Sequence, residues 1–187
     1  MPQGYVGPYN SLQADGTALT NSTTPTSLLN AQAKFTMGAG VVSYIGQQFL
    51  VKAHGRISTV VTTPGTLTLD LRLGAVVVAN GGAMTLSTTA KTNVAWGLEW
   101  LLTCRAIGAG GSATANFMHQ GLFISEAAGA TTVAGEAKTI MLPQSAPAVG
   151  TSFDPAAAQQ WDLFGTWSVA NAANSIQVHG FQILSLN

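Results

Sequence analysis

A strict alternation of apolar and polar side chains marks residues 66–73, which lie between a Pro64-Gly65 pair and Gly74. Successive side chains of a β-strand point to opposite faces, so the pattern predicts a strand with one buried and one wet face. A strand of this kind needs a second sheet to cover its apolar face. The positions expected to be buried are Leu67, Leu69, Leu71 and Leu73.

From residue 34 onwards, apolar-rich runs alternate with turn residues at a spacing typical of β-sandwiches and barrels. No useful window has the 3.6-residue period of an amphipathic helix, and one helical turn is expected after Asp154. The sequence therefore predicts an all-β, antiparallel two-sheet sandwich, whose interior should include Leu67, Leu69, Leu71, Leu98, Trp100 and Leu163. We expect strands near residues 34–37, 48–62, 66–73, 75–79, 94–107, 112–125, 139–142, 161–169 and 175–186.

Residues 1–33 differ from the rest, because Gly, Pro, Asn, Ser and Thr interrupt every apolar run. We interpret them as an extended N-terminal arm and residues 34–187 as the sandwich domain. The arm should be anchored on a surface, either that of its own body or that of a neighbour, because a free tail gains nothing from aromatic side chains. Its polar composition and spaced aromatic residues favour a neighbouring chain. A partly disordered tail is the alternative. The proposed anchors are Tyr5, Tyr9, Leu12, Leu28 and Leu29.

Charged residues are only 7% of the chain, against roughly 25% in typical soluble domains, and the formal net charge is zero. Seven scattered basic residues cannot form the basic stripe that nucleic acid requires, so nucleic-acid binding is not expected. A neutral surface favours association, which suggests a protein that works in an assembly. We expect neither a signal peptide nor a membrane span. With Cys104 as its only cysteine, the chain has no internal disulfide and suits synthesis in a cytoplasm.

Two of the expected strands, 94–107 and 112–125, carry apolar side chains on both faces. The side chains that are out of phase with the core are candidates for an interface, and we expect them to join a homotrimer. The alternative is that loops or residues 126–158 cover them within one protomer. These candidates are Leu101, Ile107, Met118, Leu122 and Ile124.

The chemistry of the sequence does not suggest an enzyme or a cofactor. His54, His119 and His179 have no partners at metal-ligand spacing, so we expect structural roles and no bound metal. Nucleophile-elbow and phosphate-loop motifs are missing from the sequence.

Asp70, Glu99 and Asp162 are candidates for the paired carboxylates of a glycosidase. Charge pairing with Arg72 or Arg105 on the sheet is the preferred interpretation. The four tryptophans could either stack on sugars or pack in the core. Their in-phase spacing on strands favours core packing. The tryptophans are Trp96, Trp100, Trp161 and Trp167.

The chain resembles the jelly-roll capsid decoration, or cement, proteins of tailed bacteriophages. The resemblance rests on residues 15–19, 22–24, 55–58, 63–70, 80–84, 98–105 and 172–177. It implies a jelly roll, often trimeric, that binds the major capsid protein lattice at the outer surface of the virion. The same fold also serves in tail and fibre proteins, so a tail or fibre protein that contacts host-surface carbohydrate is the alternative. Buried tryptophans would favour the first interpretation, and two coplanar tryptophans in an open groove the second.

Overall fold

The computed structural model of the chain describes residues 7–60, 62–129 and 135–186. These residues form thirteen strands and one 3₁₀ turn at Ala31–Ala33. In chain order the strands are β1 (Gly7–Ser11), β2 (Leu19–Thr20), β3 (Thr26–Ser27), β4 (Thr36–Met37), β5 (Gln48–Thr59), β6 (Thr66–Leu73), β7 (Val76–Thr85), β8 (Lys91–Ala106), β9 (Asn116–Ser125), β10 (Lys138–Leu142), β11 (Ala148–Val149), β12 (Gln159–Trp167) and β13 (Ser175–Ser185).

The strands build two antiparallel sheets. The larger sheet has the order β1-β13-β5-β8-β9-β10, with β2 paired to β13 and β11 paired to β9. The smaller sheet has the order β3-β12-β6-β7, with β4 paired to β12. The pairs β5–β13, β6–β12 and β8–β9 nest inside one another, as they do in the folded hairpin of a jelly roll. The predicted all-β sandwich is confirmed.

The leucine strand β6 lies between β7 and β12, and the side chains of Leu67, Leu69, Leu71 and Leu73 are completely buried. Full burial of a leucine contributes about 1.5–3 kcal/mol. The other predicted interior residues, Leu98, Trp100 and Leu163, are buried as well. Period-two alternation therefore identified the core side of both sheets.

An aromatic cluster joins the two sheets around Phe117 of β9. Its ring lies 5.7 Å from Phe49 of β5, 5.0 Å from Phe153 and 6.2 Å from Trp161 of β12, measured between centroids. All four rings are almost completely buried. Such pairs add about 0.5–1.5 kcal/mol each beyond the area that they bury, so the cluster is a main source of cohesion between the sheets.

The described part of the N-terminal arm packs on its own body, contrary to the prediction that it lies on a neighbour. Strands β1 and β2 pair with β13, and β3 pairs with β12. Leu28 and Leu29 are buried in the core of their own chain, and the Leu28 N–H donates to the Leu163 carbonyl at 2.8 Å. The arm satisfies backbone groups at the edges of both sheets, which explains why it stays on them. Tyr5 and the side chain of Tyr9 lie outside the described part.

One local expectation was wrong, and another was confirmed in part. Asn80-Gly81-Gly82 does not end a strand but forms an irregularity inside β7, where the Asn80 side chain accepts from the Gly82 N–H at 2.8 Å and Gly82 has a φ of +72°. After Asp154 the chain makes a single turn, in which the Ala157 N–H donates to the Asp154 carbonyl at 3.3 Å and the Asp154 carboxylate accepts from the Ala156 N–H at 2.9 Å, as an N-cap does. The turn does not continue into a helix. Within residues 7–60, 62–129 and 135–186, no helix is long and apolar enough to cross a membrane.

Candidate binding face

The solvent-facing side of the larger sheet carries a group of apolar side chains, which we call the outer face. It consists of Leu50 on β5, Leu101 on β8, Leu122 and Ile124 on β9, and Met141 on β10. Leu50 is half-buried, whereas the exposed fractions of the other four side chains lie between 39% and 46%. Alternation produces this face, because the neighbouring positions on the same strands turn inward to the core.

The strand register makes the outer face continuous. Leu50 is opposite Leu101, and Leu122 is opposite Met141. Leu122 also faces Glu99 across the β8–β9 pair. Since paired strands lie about 4.8 Å apart, side chains on neighbouring strands of this face are within contact distance. A contiguous exposed group of large apolar side chains is typical of an interaction site.

Two recesses indent the outer face on either side of Leu122 and Glu99. One has a volume of about 280 Å³ and is bordered by Leu50, Leu101 and Met141. The other has a volume of about 350 Å³, and Gly97 contributes to its floor. A Cβ at Gly97 would lie 3.2 Å from the Ile124 side chain, so a larger residue there would fill part of this recess.

A polar border lies beside the apolar strands. The Lys52 ammonium contacts the Glu99 carboxylate at 2.7 Å, and both side chains are largely solvated. A third recess of about 200 Å³ continues the row of depressions towards β13, where Lys52, His54 and Gln182 contribute to its lining. The apolar group thus borders a polar region formed by Glu99 of β8, Lys52 and His54 of β5 and Gln182 of β13.

The structure brings together three of the predicted interface residues, Leu101, Leu122 and Ile124. Met118 is half-buried on the same side of β9, where it pairs with Val149. Ile107 is half-buried beyond the end of β8, and Leu12 packs against the core. Leu28 and Leu29 cannot serve as interface residues because they are core residues of their own chain.

Sequence reasoning missed Met141, which is 43% exposed, and Val149, which is 50% exposed. Met141 had a detectable signal, because it alternates with Ile140 and Leu142 in a short apolar run. Its contribution depends on the antiparallel pairing of β10 with β9, which the sequence did not indicate.

Each carboxylate considered for catalysis has a basic partner. Asp70 accepts from Arg72, as predicted, and this contact raises the pKa of the Arg72 guanidinium. Glu99 pairs with Lys52 instead of an arginine. Asp162 accepts from Lys34 at 2.7 Å and from the Ser27 hydroxyl at 2.7 Å, and the second contact fastens the arm to the smaller sheet.

The remaining candidates for chemistry are enclosed in the fold. Trp96, Trp100, Trp161 and Trp167 are all buried, so none of them offers a platform to a sugar. Cys104 is buried, and burial raises the pKa of its thiol. Among the described residues, no group of three or more His, Cys, Asp or Glu side chains could hold a metal ion.

The three histidines have different surroundings. His119 is buried, and burial lowers its pKa to about 4. His179 contacts the Asp15 carboxylate at 2.7 Å near the surface. His54 is exposed and lies over Gly180, where a Cβ would collide with its ring.

Comparison with known proteins finds little. No family model matches the chain, and no curated protein is significantly similar to it. Among solved structures, the CBM2 module of the evolved Dit of Lactobacillus casei BL23 phage J-1 matches 99% of this chain and 98% of its own, with 9% identity and a TM-score of 0.37. A similarity at this level transfers neither an activity nor a ligand.

Proposed function

We propose that the chain is a non-enzymatic structural protein of a bacteriophage virion, which binds other protein subunits through the outer face. The observation that carries the binding proposal is the contiguous exposed group of Leu101, Leu122, Ile124 and Met141. Interface cores are rich in large apolar side chains, as this face is, and the Glu99 carboxylate beside Leu122 is paired with the Lys52 ammonium. The assignment to a phage rests on the resemblance of the sequence to capsid decoration proteins.

In the finer form of the proposal, the protein decorates the outside of the phage head as a homotrimer. A protein that binds only the assembled lattice stabilises the shell by linkage, and the effect is multiplied over many copies. The buried tryptophans support this form over sugar recognition, because stacking on a sugar needs an exposed aromatic face.

The alternative is a tail or fibre protein that contacts host-surface carbohydrate. The polar recess near β13 supports it, because Lys52, His54 and Gln182 offer several hydrogen-bonding groups to hydroxyls. Titration of the protein with host cell-wall polysaccharide, monitored by calorimetry, tests this alternative. Saturable heat that Gln182→Ala abolishes would favour it, and the absence of heat would count against it.

The first prediction concerns Leu122 at the centre of the outer face. Light scattering of the purified chain should give three times the 19.2 kDa mass of one protomer. The Leu122→Glu variant should be monomeric with an unchanged β-sheet circular-dichroism spectrum, because the new carboxylate would have to be desolvated in the interface.

Val169→Glu is the matched control, since Val169 and Leu122 are both 40% exposed and Val169 lies outside the outer face. This variant should keep the mass of the wild type. A monomeric wild type would contradict the trimer. Loss of the β-sheet signal in Leu122→Glu would mean that Leu122 belongs to the core and not to an interface.

A further inference from the structure

The irregularity inside β7 contains the pair Asn80-Gly81, and an asparagine followed by glycine occurs once in the sequence. Asparagine is chemically labile, because the main-chain nitrogen of the next residue can attack its side-chain amide. Glycine permits this attack best, since it has no Cβ to shield the nitrogen and has the widest choice of backbone angles. Asn80 is therefore followed by the residue that makes it most reactive.

The strand pairing leaves the backbone after Asn80 out of the regular ladder. Asp70 of β6 is opposite Asn80, and the register shifts between Asp70 and Thr68, so the pairing passes over the two glycines that follow Asn80. The second of them, Gly82, has a φ of +72°. A regular strand holds a side chain away from the next main-chain nitrogen, and an irregularity of this kind releases that restraint.

A hydrogen bond prepares the side chain of Asn80 for this attack. Its Oδ1 accepts from the Gly82 N–H at 2.8 Å, so the side chain is folded back along the main chain towards Gly81. Negative charge develops on the same oxygen when Cγ is attacked, and a donor that is already in place stabilises that charge. Asn80 is also exposed, so water has access to the amide and ammonia can leave.

We propose that Asn80 is a self-modification site, at which the folded chain converts asparagine to aspartate and isoaspartate through a succinimide ring. A base from solvent removes the proton of the Gly81 N–H, and the nitrogen forms a bond to Asn80 Cγ. The bond from Cγ to Nδ2 breaks as Nδ2 takes up a proton from water and leaves as ammonia. Water then opens the ring, at Cγ to give aspartate or at the main-chain carbonyl to give isoaspartate. Water is the only co-reactant, and nothing is oxidised or reduced.

Either product changes the surroundings of β7. The new carboxylate adds one negative charge to a chain whose formal net charge is zero. It lies opposite Asp70, and like charges that face each other across a strand pair are destabilising. In isoaspartate the main chain also runs through the side-chain carbons, directly after the Asn80 N–H that donates to His119 Nε2 at 3.4 Å. Conversion should therefore loosen β7 from its neighbours, and it does not depend on the proposed function.

Peptide mass spectrometry of the purified full chain, sampled during incubation in mildly alkaline buffer, tests the conversion. Each event adds about 1 Da, because an amide becomes a carboxylate, and chromatography should separate two products of equal mass. Asn21 is the internal control, since it is exposed but precedes Ser22. Asn80 should convert on the order of tenfold faster than Asn21, because Gly81 lacks the side chain that Ser22 carries. Equal rates at the two asparagines, or an unchanged Asn80, would overturn the proposal.

Hydroxylamine shows whether the succinimide forms in the folded chain, because it attacks the ring and cleaves the main chain there. The native wild type should be cut into residues 1–80 and 81–187. Asn80→Gln is the matched variant, since it keeps an amide but would have to close a larger ring. It should resist cleavage while its circular-dichroism spectrum stays that of the wild type. Equal cleavage of this variant, or cleavage of the wild type only after unfolding in guanidinium, would overturn the proposal.

Discussion

Replacing Phe117 by alanine should lower the free energy of unfolding by about 3–5 kcal/mol, a large part of the stability of a typical domain. Phe117 is completely buried and contacts Phe49, Phe153 and Trp161. Its truncation leaves a cavity between the sheets that the surrounding rings cannot fill without leaving their rotamers. Urea denaturation followed by tryptophan fluorescence measures the change.

Phe164→Ala is the matched control, because it deletes the same atoms from a ring that lies outside the core. Phe164 is half-buried beneath the Arg72 guanidinium, 3.8 Å from its central carbon. The loss of this cation–π contact and of some packing should cost about 1–2 kcal/mol. Equal losses in the two variants would contradict the central position of Phe117 in the core.

Acid should destabilise the protein through His119. The side chain is 2% exposed, and its pKa lies at about 4 in the folded state, below the usual value of 6.5. Because this folded-state pKa is lowered, the unfolded chain binds the proton first as pH falls. The contribution to stability is complete above pH 6.5 and is lost between pH 6.5 and pH 4, by about 3 kcal/mol in total.

The measurement is the difference between the free energies of unfolding at pH 7 and pH 4. His119→Leu should reduce this difference by about 3 kcal/mol, whatever its own stability at pH 7. His54→Leu, at an exposed histidine, should leave the difference as it is in the wild type. A wild-type pH dependence in His119→Leu would show that His119 does not titrate as described.

The β-sandwich could be predicted because a two-residue period is a local property. Leu67 to Leu73, Trp100 and Leu163 alternate with polar or exposed positions, and their buried side was identified without any knowledge of strand order. The arm was misjudged for the opposite reason. Leu28 and Leu29 have no periodic context, and their burial depends on long-range pairing with β12.

The residues of the outer face were likewise predictable where the signal was local and unpredictable where it depended on strand pairing. Leu101, Leu122 and Ile124 were identified because they are out of phase with the core positions on their own strands. Met141 lies beside them only because β10 pairs with β9, and no local sequence pattern predicts that pairing. The exposed side chains of Tyr44 and Ile45 were not identified because they lie in a loop, where period-two reasoning does not apply.

The proposal that the chain is a virion component is tested most directly by cryo-electron microscopy of particles purified from a culture that produces it. We expect copies at regular positions over the outside of the head, each with the outer face of Leu101, Leu122, Ile124 and Met141 buried against protein. A few copies confined to the tail would favour the carbohydrate-contacting alternative. Particles without the chain, or copies with the outer face open to solvent, would contradict the account.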